Sequence, residues 1–157
     1  MTKVGRDMER MPVESHYARM MIEARKYGVE VQGQLAALLA IQEAGGILMF
    51  GTRNRSCDER WRSMLEPGFN DSDMIRQLEV FIAAQGMSGA RLRDFDIAGK
   101  GFQKSKDIMR DLRRVEKLNG EPLIMPDAEQ REQLVRCIVS GMVDNLYMRQ
   151  RYGAGLS

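Results

Sequence analysis

The sequence predicts an all-α protein, a compact bundle of about seven short-to-medium helices. Three observations point there. Apolar residues recur at spacings of three and four through most of the chain; Gly, Pro, Ser and Asp punctuate those runs at their ends; and no segment alternates convincingly as a strand, the extreme ends excepted. Several such helices joined by short loops bury their apolar stripes best by packing on one another.

Each element follows in order. Residues 2–13 read as a charged, glycine-containing strand or turn that runs into Pro12. Ser15 is the expected N-cap of a helix carrying Tyr17, Met20, Met21 and Ala24 inward and ending near Gly28. VEVQGQLAALLAIQEA follows as a second helix, with Val31, Leu35, Leu38, Leu39 and Gln42 on its inner side and Gly45-Gly46 as its stop. Ile47, Leu48, Met49 and Phe50 form a short apolar plug, after which Asp58 caps a short helix through Trp61 and Leu65. Asp71 or Ser72 caps a helix bearing Ile75, Leu78, Phe81 and Ile82 that ends at Gly86, and Ser88 starts another with Leu92, Phe95 and Ile97. The clearest helix runs from Gly101 to about Leu118. Beyond Asn119-Gly120 and Pro122, Asp127 caps a last long helix with Leu134, Val135, Ile138, Val139, Met142 and Leu146 inward.

Composition and motifs narrow the function. The 13 Met residues are spread along helices, which suits core filling by a flexible side chain. Cys57 and Cys137 have no metal-ligand spacing and fit free thiols in a reducing cytoplasm. No stretch approaches the roughly 18 uninterrupted apolar residues of a membrane span, and residues 1–20 are too charged for a signal peptide, so a soluble, cytoplasmic protein is expected. His16 stands alone as the single histidine. Gly99-Lys100 fails as a phosphate loop, because Gly101 follows where Ser or Thr is required and Asp94 stands where the first glycine belongs. Asp94 and Asp96, two apart on a helix, diverge rather than converge on a metal.

The helix at 101–118 carries the main physical clue. Ile108, Leu112 and Val115 fall on one side, and Lys106, Arg110, Arg113, Arg114 and Lys117 on the other. Residues 91–117 hold nine Lys or Arg against five Asp or Glu, a net +4 in a chain whose total is +2. Localised positive charge of this kind is the footprint of phosphate-backbone contact. The competing reading is a solvated face laced by i to i+4 ion pairs with Asp107, Asp111 and Glu116.

A family resemblance covers residues 2 to 150. TKVGRDMERMPVESHYARMMIEA resembles the junction in DEAH-box ATP-dependent RNA helicases where the winged-helix domain ends and the helicase-associated ratchet domain begins, with Thr2, Gly5, Arg6, Met8, Met11 and Pro12 at matching places and Glu14 where the family has Asp. ARMMIEARKYGVEVQGQLAALLAIQ is similar to that domain's first two helices. Phe50 and Arg55 sit where the family has an aromatic and an arginine before its third helix, and Ser72-Asp73 with 75–81 resembles its Ser/Gly-Asp-His-Leu segment, Met74 replacing the His. RLRDFDIAGKGFQKSKDIMRDLRRV resembles the family segment in which a hydrophobic turn leads into a helix, here ending Asp107 to Leu112. Leu134, Cys137, Ile138, Gly141, Asn145 and Leu146 match its last long helix, with Tyr147 in place of Ala.

The resemblance implies a division of the chain: 1–13 as the end of a winged helix, 14–147 as the ratchet domain and 148–157 as the start of an oligonucleotide-binding barrel. It implies an excised domain, truncated frame or fragment that lines a channel for single-stranded RNA, or DNA, and packs on the motor, winged-helix and barrel domains of its parent. On that reading Lys106, Arg110, Arg113, Arg114 and Lys117 form the nucleic-acid surface, with Asn54 and Arg55 as loop contacts; ATP and Mg belong to the motor domains, and this chain holds no cofactor or metal of its own. A reading of a different class is a stand-alone helical adaptor for a protein partner. Lacking a phosphate loop and an Asp-Glu pair for magnesium, the isolated chain is expected neither to bind nor to hydrolyse ATP; turnover that survives repurification and is absent from a mock preparation would show otherwise.

Overall fold

The structure, a computed structural model, describes residues 2–47, 73–95 and 97–154. Seven helices occur among them: α1 (Lys3–Arg10), α2 (Ser15–Ala24), α3 (Val29–Glu43), α4 (Asp73–Ala84), α5 (Gly89–Asp94), α6 (Gly99–Val115) and α7 (Ala128–Ala154). No strand occurs among the described residues, so the all-α bundle stands. The expected helix at 58–65 lies outside them. No described helix is long and apolar enough to cross a membrane.

Helix α3 organises the rest. From Gly33 to Ile41 its residues are apolar or small except Gln34, and all are buried, as expected of a stretch without a polar face. α2, α4, α6 and α7 all pack against it. The inner side expected from spacing was narrower: Ala36, Ala37 and Ile41 are buried as well as Leu35, Leu38 and Leu39, whereas Gln42 is half-buried. Gln34, fully buried, donates through Nε2 to the Ile124 carbonyl at 3.1 Å and to Gln130 Oε1 at 3.2 Å, which fastens the loop before α7 to the core.

Caps set the helix ends. Ser88 accepts from Arg91 N at 3.3 Å. Asp127 Oδ1 accepts from Gln130 N at 2.7 Å while Gln130 Oε1 accepts from Asp127 N at 3.1 Å, a reciprocal capping box. At α2 the N-cap is Glu14 rather than Ser15, and its side chain makes no cap bond. The largest difference is α1, helical where a strand or turn was expected. Thr2 Oγ1 caps it by accepting from Gly5 N at 3.0 Å, and no residue within it is buried.

What holds α1 is tertiary. Arg25, at the end of α2, reaches Asp7 Oδ2 through Nη2 at 2.8 Å. The same Nη2 donates to Glu116 Oε1 at 2.7 Å and Nε to Glu116 Oε2 at 3.0 Å, with Gln32 Nε2 adding a bond at 3.2 Å. The Glu116 side chain is 1% exposed, so these donors replace the water it has lost. The shared hydrogen bonds hold the Asp7 carboxyl below its ordinary value and the Arg25 guanidinium above its own.

Two close approaches depend on the lack of a side chain. A Cβ on Gly101 would lie 2.7 Å from the Gly46 carbonyl oxygen, so α6 begins with its backbone against the end of α3. Ala98 N donates to Ile47 O at 2.7 Å and Ile47 N to Gln77 Oε1 at 3.2 Å, tying the same corner to α4. In α7, a Cβ on Gly141 would meet the His16 carbonyl oxygen at 2.8 Å and collide with Met20 Cγ. Gly141→Ala is therefore expected to destabilise the fold by about 1 kcal/mol or more, because overpacking outweighs the helix propensity gained. Gly33→Ala, where a Cβ meets nothing within 4 Å, is expected to stabilise it; urea denaturation of both variants checks the pair.

Candidate nucleic-acid interface

Helix α6 is amphipathic in the manner a surface helix requires. Phe102, Ser105 and Leu112 are buried, and Ile108, Met109 and Val115 pack half-buried against the core. Ser105, fully buried, satisfies its hydroxyl by donating to the Gly101 carbonyl at 2.7 Å. Outward point Lys100, Gln103, Lys104, Arg110 and Arg114, all exposed. Lys106 is half-buried, its ammonium 5.2 Å from the centre of the Phe102 ring, so its stem covers apolar surface at the rim of the helix.

Apart from Lys106, the cations expected on this face have three different fates. Arg110 and Arg114 are 62% and 66% exposed and share nearby acids: Arg110 lies 3.6 Å from Asp107 and 4.0 Å from the adjoining Asp111, and Arg114 3.7 Å from Asp111. Exposed pairs this loose contribute at most about 0.5 kcal/mol each and exchange readily for another anion. Arg113 turns back instead. Its Nη2 donates to the Leu118 carbonyl at 3.0 Å and to the Glu121 carbonyl, bracing the turn that follows the helix, and its Nε is buried without an acceptor. Lys117 stands just beyond the helix, exposed, with a backbone φ of 58°.

Glu116, counted by spacing among the acids near the stripe, is turned inward to Arg25 and leaves the surface. Periodicity overlooked other cations. Lys100 and Lys104 lie exposed on α6, and Arg91 and Arg93 on α5 just before it, Arg91 with its guanidinium carbon 5.9 Å from the Phe95 ring centre. The charge count over 91–117 already contained all four; only a helix start at Gly99 rather than Gly101 brings Lys100 into line. Asn54 and Arg55 lie outside the described residues, as do Phe50, Cys57, Asp58 and Asp96.

The remaining polar groups are structural. His16 Nδ1 lies 3.4 Å from Glu14 Oε2. Glu79 on α4 and Arg131 on α7 face each other at 3.9 Å, with their side chains 4% and 14% exposed. Cys137 is buried, and burial pushes its thiol up to about 11, so it is a neutral filler at pH 7. A hollow of about 350 Å³ beside α1 is lined by Gly5, Met8, Glu9, Met11, Val13 and Ser15, which bring no catalytic pair together. Among the described residues, no three His, Cys, Asp or Glu side chains converge as a metal site.

On α7 the expected inner row is split. Leu134 and Ile138 are buried and Val135 half-buried, but Val139 and Met142 are 53% and 46% exposed, and Val143 beside them, which spacing did not place inward, is 56% exposed. α2 meets the helix at Gly141 and Cys137, and that contact leaves Val139 and Met142 on the far side. The side chain of Leu146 lies beyond those described.

Compared with models of known protein families and with curated proteins, the chain matches none. The geometry of Arg113 leads to a specific expectation. Arg113→Ala should destabilise the fold by about 1–3 kcal/mol, because two carbonyls lose a charged donor; an unfolding midpoint in urea equal to that of the parent chain would mean the brace carries no weight.

Proposed function

We propose that this chain is an accessory domain of a DEAH-box ATP-dependent RNA helicase, a helical ratchet domain that lines the channel for single-stranded RNA and packs on the motor, winged-helix and barrel domains of its parent. The observation that carries the reading is the row of exposed cations on α6. From Lys100 to Arg114 the helix extends about 21 Å, which is room for several phosphates of an extended strand. Lys and Arg on a helix face hold phosphates without reading bases, so binding of this kind is indifferent to sequence. The ordered resemblance over residues 2–150 supports the same reading, and the all-α bundle is the architecture it requires. Asn54 and Arg55 remain proposed loop contacts.

A second reading, the helical adaptor for a protein partner, is favoured by a different observation. Val139, Met142 and Val143 form an exposed apolar row on α7, which suits contact with another protein or with a neighbouring domain of the same parent. The two readings differ in their response to salt. Phosphate binding releases counterions and weakens steeply as salt rises, whereas an apolar interface does not.

The test is affinity for single-stranded oligouridine and for mixed-sequence strands, measured against salt with the 157-residue chain. Arg110→Ala with Arg114→Ala should leave stability within about 0.5 kcal/mol, as for surface positions. Affinity should fall alike for every sequence, and the slope of log affinity against log salt should shrink by about 0.7 for each phosphate no longer neutralised. A parent chain that ignores every strand, or binds it without salt dependence, favours the adaptor.

A further inference from the structure

Helix α6 ends in a Schellman motif: Leu118 N donates to Arg113 O at 2.8 Å and Lys117 N to Arg114 O at 3.2 Å. The residue just past the cap must enter the left-handed region, and here it is Lys117 at φ 58°. Every other described residue with a positive φ (Gly28, Gly45, Gly46, Gly86, Gly120) is a glycine. A side chain in this conformation crowds its own carbonyl, so glycine is the residue the motif favours and asparagine the next.

None of three structural roles accounts for a lysine here. Burial is not one, since Lys117 is exposed. Pairing is not one either, since it makes no ion pair with a described residue. Complementing the helix dipole would suit a cation, but Arg113 and Arg114 already occupy the last turn. The local backbone is also held firmly on its C-terminal side. Leu118, the next residue, is 2% exposed, and Arg113 grips the carbonyls of Leu118 and Glu121. The ammonium is thus carried on a fixed base at the end of the row formed by Lys100, Lys104, Arg110 and Arg114.

We infer that Lys117 is a dedicated contact to a backbone phosphate of the bound single strand, retained in a conformation that lowers the stability of the free protein. This rests on the nucleic-acid reading above. Backbone strain kept at one polar position is characteristic of functional sites, and the backbone beneath Lys117, ordered already, adds nothing to the cost of binding.

The experiment compares K117G, K117N and K117R with the parent chain, by thermal unfolding and by salt-dependent affinity for single-stranded oligouridine. K117G should melt about 2–4 °C higher, as relief of left-handed strain in a chain of this size implies, yet its slope of log affinity against log salt should be smaller by about 0.7. K117N should show the same smaller slope, and K117R should keep the parent slope without the rise in melting temperature. If K117G melts higher and binds with the parent slope, the assignment of Lys117 is overturned while the nucleic-acid reading stands. If K117G melts lower, Lys117 is not strained and its retention needs no ligand. If the parent chain itself shows no salt-dependent binding, the Lys117 assignment and the nucleic-acid reading fall together.

Discussion

A helix with no polar face cannot sit at a surface, and α3 is such a helix. Its leucines and isoleucine line one side and its alanines the other, and both sides are buried, so each needs cover from a different part of the chain. α2, α4, α6 and α7 supply it. The basic character of α6 follows from this arrangement. Phe102, Ser105 and Leu112 keep one side of α6 on the core, and the charged residues between them have only the solvent side left.

The distances between helices are set at places where side chains are missing. Gly141 lets α7 lie on the His16 carbonyl and Met20, and Gly101 lets α6 start against Gly46. Neither place has room for a larger residue, and together they determine how far α2 and α6 stand from their neighbours. Buried polar groups then fix orientation. Gln34 is bound to Ile124 and Gln130, and Gln77 to Ile47; each gives a loop one position on the bundle, since a shifted loop would strand a buried amide.

Much of this was legible in the sequence because the signals were local. Gly45-Gly46, Gly86, Ser88 and Asp127 mark ends that short-range backbone chemistry dictates, and the helices lie between them. What was not legible depends on partners far along the chain. KVGRDMER contains a glycine and no buried residue, and it is helical with Thr2 capping it and Arg25 holding Asp7. Arg110 and Arg113 have the same chemistry and neighbouring places on one helix face, yet one lies open and the other turns back to the carbonyls of Leu118 and Glu121; periodicity does not distinguish them. Val139 and Met142 are apolar at helical spacing and so read as core, but the side of α7 that is buried is the one where Gly141 allows α2 to approach. Lys117 gave no hint of its left-handed backbone, since that conformation is ordinarily announced by a glycine.

The Arg25 guanidinium joins elements that are distant in the chain. One of its nitrogens serves Asp7 on α1 and Glu116 at the end of α6 together, while the side chain is rooted at the end of α2 and Gln32 of α3 shares the same carboxylate. It is therefore a mechanical joint as well as an ion pair. A pull on α1 is carried through Asp7 and one guanidinium to the terminal turn of the cationic helix, without passing through the apolar centre. Because the Arg25 fork has two bonds on the Glu116 side and only one on the Asp7 side, tension along this path should part first at α1 and spare the end of α6, as a weak link protects the machine behind it.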